Sequence, residues 1–220
     1  MEYFSVSNTE KSFHIEGFPD AVKIITINDP DKARSLADLS LHQEDLEFAD
    51  ACLDALNQTN ENPIAREALW RSAIVHYMKC FGNGVRFQLK ANKIYECEPQ
   101  KVLLAFEYFK DLRNKHFIHD VNSYAQSIPG AVLNNGTKDY KIEKIVCFTA
   151  FGETLEQGNY RNLKLLIEKA RAWVVSEFDS LCEELTEALE KECYDKLLSR
   201  ESINYYVPTI EDISRARKIP

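Results

Sequence analysis

The longest regular pattern in this chain of 220 residues begins near Gln157. Apolar residues recur there at three- and four-residue spacing as far as Leu189, and glutamates fill intervening positions. This period is that of an amphipathic α-helix with one buried stripe and one solvated face. The pattern predicts a single long helix from Gln157 to about Leu198, and long amphipathic helices of this kind pack as bundles.

Two further segments have the same helical period. Asn62 and Pro63 are a typical N-cap and first helical residue, and they predict a helix that ends at about Cys80, before a glycine-rich turn. Another helix is predicted from Pro99 to about Asp120. Its apolar stripe consists of Val102, Ala105, Phe106, Phe109 and Leu112.

The remaining segments are shorter. Residues 31–41 and 43–57 are predicted as helices, and Ala21–Ile27, which is rich in β-branched residues, as a strand or extended arm. Residues 129–150 are predicted as a β-hairpin, because an Asn-Gly turn signal at Asn135 separates two apolar runs. The fold class that follows is mainly all-α: an up-down helical bundle with an inserted β-hairpin and a short N-terminal extended segment.

This pattern also suggests a division of the chain into three parts. Residues 1–60 form an N-terminal extension packed on the bundle, residues 61–199 form the bundle with its hairpin, and residues 200–220 form a C-terminal tail. Since the apolar stripe from Leu163 to Leu189 is long and continuous, we also expect the chain to self-associate as a homodimer.

Composition narrows the classes of protein that this chain can belong to. It is 45% hydrophobic and 28% charged, which is typical of a globular protein, and no apolar run approaches the roughly 20 residues of a membrane helix. The start lacks the features of an export signal, so we expect a soluble, cytoplasmic chain without a membrane partner. The net charge of −8 means that any nucleic-acid site must be a local basic patch.

The six cysteines are far apart and form no CxxC pair or Cys/His ligand spacing. They are expected to be reduced thiols. The sequence therefore predicts neither a metal site nor a cofactor.

The segment from Asp111 to Asp120 is the richest in chemically active side chains. On an ideal helical wheel Arg113 and His116 lie within about 40° of Phe109, and His119 about 80° away, whereas Asn114 points roughly away. An apolar stripe thus ends in ionisable groups. Cationic side chains also complement the dipole at helix ends, so an ordinary helix cap is the structural alternative.

Arg113 and the polar Asn114, followed by His119, resemble the R-x(4–6)-H motif of the HEPN (higher eukaryotes and prokaryotes nucleotide-binding) domains. The resemblance covers this motif and the helices around it, roughly residues 63–198. It implies an all-helical bundle that acts as a metal-independent endoribonuclease, typically a toxin or phage-defence effector. It also implies a dimer with paired motifs in one composite site, and an antitoxin as a further partner.

Carried over to this chain, the resemblance makes His119 the motif histidine, Arg113 the motif arginine and Asn114 the polar residue beside it. His116 lies outside the family pattern and is a supplementary candidate. An imidazole can move the protons of a ribose 2′-hydroxyl and a 5′-oxygen, and a guanidinium can stabilise charge on the phosphate, so RNA cleavage would leave a 2′,3′-cyclic phosphate.

Lys110 and Lys115 are the candidate RNA-binding residues, because they flank this segment. Two alternatives to the ribonuclease remain. One is a catalytically inactive bundle of the same family that binds a partner or a nucleotide. The other is an unrelated helical scaffold whose Arg/His run is only a helix cap.

Overall fold

The computed structural model describes residues 6–9, 12–15, 17–59, 62–119, 121–203 and 207–215, with backbone alone for 6–14. The fold is mostly α-helical, as predicted. Its helices are α1 (Pro30–Gln58), α2 (Pro63–Lys79), α3 (Ala91–Ile94), α4 (Gln100–Leu112), α5 (Gln157–Glu190) and α6 (Tyr194–Ser199).

Four strands form two separate antiparallel hairpins. The first joins β1 (Val6–Thr9) to β2 (Ser12–Ile15), and the second joins β3 (Ala125–Leu133) to β4 (Ile142–Phe151). The second confirms the hairpin predicted for residues 129–150. Residues 21–27 were predicted as a strand or an extended arm, and the strand does not form: Ile25 makes one isolated bridge with Ser202.

The two helices predicted for residues 31–41 and 43–57 are one continuous helix, α1. Buried polar side chains interrupt the apolar pattern of this segment without interrupting the helix. Asp38 accepts a 3.0 Å hydrogen bond from the Phe87 backbone N–H, and Nε2 of His42 lies 2.8 Å from the Phe87 carbonyl oxygen. Both side chains are 1% exposed.

The long C-terminal helix is shorter than predicted. Helix α5 ends at Glu190, and α6 follows as a separate element, so a single helix to Leu198 is wrong. Glu192 lies in the connection, where its carboxylate accepts a hydrogen bond from Arg200 and forms an ion pair with Lys196. These contacts hold the chain in a turn at the end of the apolar period.

The chain divides into two compact units. The first contains residues 1–43, 83–87 and 172–220, and the second contains 44–82 and 88–171. In the first unit the segment that follows α6 pairs with the segment before α1: Thr26 donates a 2.9 Å backbone hydrogen bond to Glu201, and Ile203 donates a 3.0 Å one to Ile24. The described part of the tail also contains a 3₁₀ turn at Ile210–Asp212.

The second unit has an aromatic core. Three residues of the predicted stripe of α4 are buried there, since Phe106, Phe109 and Leu112 are at most 5% exposed, whereas Val102 and Ala105 are partly exposed. Phe109 makes an edge contact with the ring of Trp70. Aromatic pairs of this geometry add to the energy of area burial, and they fix α4 against α2.

Much of the apolar stripe of α5 is buried within the chain itself. Leu163, Ile167, Ala170 and Val174 have no exposed surface, and Leu185 is 6% exposed. Further along the stripe Phe178, Leu181 and Leu189 are partly exposed. Most of the stripe is therefore occupied by contacts within the chain, and the homodimer stays a prediction. No described helix is both long and apolar enough to cross a lipid bilayer.

Candidate functional site

The Arg/His segment forms a π-helical turn. The α-helical part of α4 ends at Leu112, and residues Arg113–Phe117 continue it with wider turns, in which Ile118 donates a 3.1 Å hydrogen bond to the Arg113 carbonyl. The helix predicted from Pro99 to about Asp120 is therefore present, but its last part is a π-helix that ends at Phe117, and Asp120 itself lies outside the described residues. Single π-helical turns are rare and occur frequently at functional sites.

The π-turn changes the directions of the side chains after Leu112, because each of its turns contains more residues than an α-helical turn. The helical wheel therefore does not describe the directions of these side chains, and the structure adds a contact that the wheel does not predict for Asn114. Its amide oxygen Oδ1 accepts a 2.7 Å hydrogen bond from Nη1 of Arg113. Both side chains are half-buried, and the structure brings them together.

Two nitrogens of this segment are buried without a hydrogen-bond partner in the described part of the chain: Nε of Arg113 and Nδ1 of His116. A buried polar atom that lacks a partner costs about 1–3 kcal/mol. Native proteins contain few of them, and catalytic sites are one place where they are kept. The candidate site thus carries unused hydrogen-bonding capacity in two of its side chains.

His116 lies on the wall of a cleft of about 470 Å³. Its ring centroid is 5.5 Å from that of Tyr124. The other cleft residues come from the start of α2 and from the segment after β4: Pro63, Arg66, Glu67, Arg71, Phe151, Gly152, Glu153, Thr154 and Leu155. The cleft is large enough for a nucleotide-sized ligand.

Two contacts fix the segment after β4 to its neighbours. Nε1 of Trp70 donates a buried 3.0 Å hydrogen bond to Oγ1 of Thr154, and Gly152 donates a 2.7 Å backbone hydrogen bond to Tyr124. A side chain at Gly152 would overlap the Tyr124 ring. Glycine therefore allows the close approach that holds Tyr124 beside His116.

Arg66 and Arg71 were not predicted as site residues. Arg71 pairs with Glu67 at 2.6 Å, and its guanidinium lies 4.9 Å from the centroid of the Phe117 ring. Arg66 donates a 2.9 Å hydrogen bond to the Leu56 carbonyl. In the sequence these arginines are more than forty positions from Arg113 and lie on an ordinary polar helix face, so no local signal connects them to the site.

The candidate RNA-binding lysines are each paired with a carboxylate on their own helix segment. Lys110 lies 2.9 Å from Glu107, and Lys115 lies 2.9 Å from Asp111, with all four side chains about half exposed. Exposed ion pairs of this kind contribute about 0–1 kcal/mol. A phosphate can therefore compete for either lysine at little expense in stability.

His119 follows the π-turn and is exposed. It is not among the residues that line the cleft, and neither are Arg113 and Asn114. The structure thus places Arg113 with Asn114, and His116 with the cleft. Within the described ranges, no group of three or more His, Cys, Asp or Glu side chains is arranged to hold a metal ion.

Comparison of the chain with protein-family models, curated proteins and solved structures gives no match. The functional interpretation therefore depends on the residues and contacts described above.

Proposed function

We propose that this chain is a metal-independent endoribonuclease of the HEPN type, with Arg113, Asn114, His116 and His119 as its site. The observation that carries the proposal is the π-turn. In five residues it joins a guanidinium held by a neighbouring amide to an imidazole on a cleft wall, and His119 follows in the next turn. The proposal includes a HEPN-like up-down bundle.

The four side chains have separate roles in this mechanism. The exposed imidazole of His119 takes the proton of the ribose 2′-hydroxyl or returns one to the leaving 5′-oxygen. The guanidinium of Arg113 stabilises the charge that gathers on the phosphate oxygens in the transition state. Asn114 positions Arg113, and His116 contacts the part of the substrate that enters the cleft.

RNA binding in this proposal is local, because the chain as a whole is acidic. Lys110 and Lys115 lie on the same segment as the motif, and Arg66 and Arg71 lie in the cleft. The carboxylates that pair with three of these cations are replaced by phosphates when RNA binds. Binding should therefore weaken steeply as salt concentration rises.

The biological role proposed with this chemistry is that of a cytoplasmic toxin or phage-defence effector. Its active form is a homodimer in which two copies of the motif act together, and an antitoxin restrains it. Growth arrest on induced expression, absent in a His119→Ala strain, is the expected sign of this role.

Purified protein and a mixed-sequence RNA test the chemistry. His119→Ala should lower the cleavage rate about a hundredfold or more, and Arg113→Ala by a comparable factor. Arg161→Ala, an exposed arginine on α5 outside the cleft, is the matched control and should cleave at the parent rate. Equal rates for all three variants would overturn the proposal.

A second candidate is a HEPN-like module that binds RNA, a nucleotide or a partner without cleaving. The position of His119 outside the cleft lining favours it, since binding requires only the cleft and its arginines. Saturable RNA binding by the parent protein, lost in Arg71→Ala and unaccompanied by cleavage in any buffer, would select this candidate.

A further inference from the structure

The outer edge of β4 has free backbone hydrogen-bonding groups. Gly152 donates its N–H to Tyr124, on the β3 side of the hairpin, so even-numbered residues of β4 direct their backbone groups towards β3. Because these directions alternate along a strand, Ile145, Cys147 and Thr149 direct theirs away from β3. In the described part of the chain no third strand pairs with the hairpin.

The outer edge of β3 differs from that of β4. Pro129 lies opposite Cys147 in the register, so its nitrogen also points away from the partner strand, and a proline nitrogen carries no hydrogen. Proline on an outer edge is a common protection against strand pairing. β4 contains neither proline nor glycine over its ten residues. Only one of the two edges is therefore open along its whole length.

Most side chains of β4 are apolar, and all but that of Val146 are exposed. Ile145, Phe148 and Phe151 are 65%, 71% and 76% exposed. The strand has two charged side chains, Glu143 and Lys144, and these cancel. A neutral, apolar strand offers no counter-charge to RNA or to a charged peptide, and it lacks the net negative charge by which two copies of the whole chain repel each other.

We propose that β4 pairs with β4 of a second copy of this chain, antiparallel and about a two-fold axis at Cys147, to give one four-stranded sheet. A two-stranded hairpin alone is only marginally stable in water, whereas a sheet of three or more strands can be stable. A two-fold interface uses the same surface on both copies. The outer edge of β4 can form such an interface, because it can pair with the same edge of β4 in a second copy.

The register follows from the directions of the backbone groups and from charge. Residues whose backbone groups point away from β3 must lie opposite such residues of the second copy. In a two-fold antiparallel pair this places one of them opposite the same residue of the other copy. An axis at Cys147 uses nearly the whole strand and sets Ile145 against Thr149 and Lys144 against Ala150. No like charges meet, whereas a parallel arrangement in register would place Lys144 beside Lys144, which is destabilising.

This pairing also brings the second copy close to the candidate site. Phe151 ends β4 and lines the same cleft as His116. In the paired sheet the start of β4 from the second copy lies next to Phe151, at the rim of the cleft. This role at the cleft rests on the proposed function, whereas the pairing itself is independent of any activity.

Cross-linking at Cys147 tests the register. Cys147 is exposed, and directly opposite residues of an antiparallel hydrogen-bonded pair have Cα atoms about 5.5 Å apart, which a disulfide can span. A variant with Cys97, Cys182 and Cys193 changed to Ser retains Cys147 and the buried cysteines. Oxidation with copper phenanthroline in air should convert it to a covalent dimer, and adding Cys147→Ser should prevent this. Failure to form the dimer overturns the register.

Two proline variants test the edge itself. Thr149→Pro removes an outward-facing donor from β4, and Ser127→Pro makes the same change directly across the hairpin, on β3. Light scattering at tens of micromolar protein should give a dimer mass for the parent and Ser127→Pro, and a monomer mass for Thr149→Pro, with unchanged circular dichroism. A monomeric parent, or a dimeric Thr149→Pro, overturns the proposal. A parent protein that forms the dimer but does not cleave RNA would contradict only the proposed function.

Discussion

Arg113 donates a 2.7 Å hydrogen bond from Nη1 to Oδ1 of Asn114, the next residue in the chain. Both residues belong to the π-helical turn. The amide limits the positions that the guanidinium can take. Its Nε, which is buried without a partner in the described residues, keeps capacity for a further acceptor.

Removal of this amide should reduce activity without removing the guanidinium. We expect Asn114→Ala to lower the rate of RNA cleavage about tenfold, because a mispositioned charge stabilises the transition state less well. Asn114→Asp keeps the acceptor oxygen and should retain most of the activity. Single-turnover cleavage by the two variants measures this, and equal losses in both would contradict a positioning role.

A side chain at residue 152 should disturb the cleft. The added Cβ of Gly152→Ala would overlap the ring of Tyr124, which then has to move from its place beside His116. We expect a moderate loss of stability and weaker RNA binding. Gly130→Ala is the matched control, since nothing lies close to its Cβ position. Titration with a fluorescent RNA compares the two variants, and equal affinities would contradict this account of the cleft.

Two buried tyrosines form a directed hydrogen-bond chain. The hydroxyls of Tyr77 and Tyr95 are 2.7 Å apart, and that of Tyr95 also donates to the Leu166 carbonyl at 3.0 Å. Tyr95→Phe leaves the buried Tyr77 hydroxyl without a partner and removes the bond to Leu166, whereas Tyr77→Phe leaves the bond to Leu166 intact. We expect Tyr95→Phe to cost about 1–3 kcal/mol in the free energy of unfolding and Tyr77→Phe about 1. Urea denaturation measures both, and the reverse order would contradict this direction of the chain.

The same tyrosines should make the protein sensitive to alkali. Burial raises the pKa of Tyr77 well above its ordinary value, and burial also raises the pKa of Tyr95. Below about pH 10 both are protonated in folded and unfolded chains, so they add no pH dependence. Above it the unfolded chain releases their protons and the folded chain does not, so stability falls by about 1.4 kcal/mol per pH unit for each tyrosine. Denaturation at pH 9 and pH 11 tests this, and Tyr77→Phe should reduce the slope.

Local periodicity was sufficient to predict most of the helical fold. The start of α2 at Pro63 and the burial of Phe106 and Phe109 follow from capping chemistry and from three- and four-residue spacing. The continuity of α1 could not be predicted in the same way. Asp38 and His42 are buried polar residues that bind the backbone of Phe87, which is more than forty positions away in the sequence.

The candidate site could be predicted only in part for a related reason. Arg113, Asn114 and His116 were identifiable from residue type, but their directions depend on a π-turn that an ideal wheel does not contain. Arg71 joins the cleft through its tertiary contact with Phe117, and the residues around Arg71 in the sequence do not indicate this contact. The burial of much of the α5 stripe is likewise a tertiary property.

The central claim is that Arg113 and His119 cleave RNA through attack by the 2′-hydroxyl. Its most direct measurement is the cleavage rate in EDTA, with the ends of the products identified by mass spectrometry. The account predicts that the parent protein leaves 2′,3′-cyclic phosphate ends at a rate unchanged by EDTA, and that His119→Ala is slower about a hundredfold or more. Cleavage that requires an added divalent ion, or a His119→Ala variant that cleaves as fast as the parent, would contradict it.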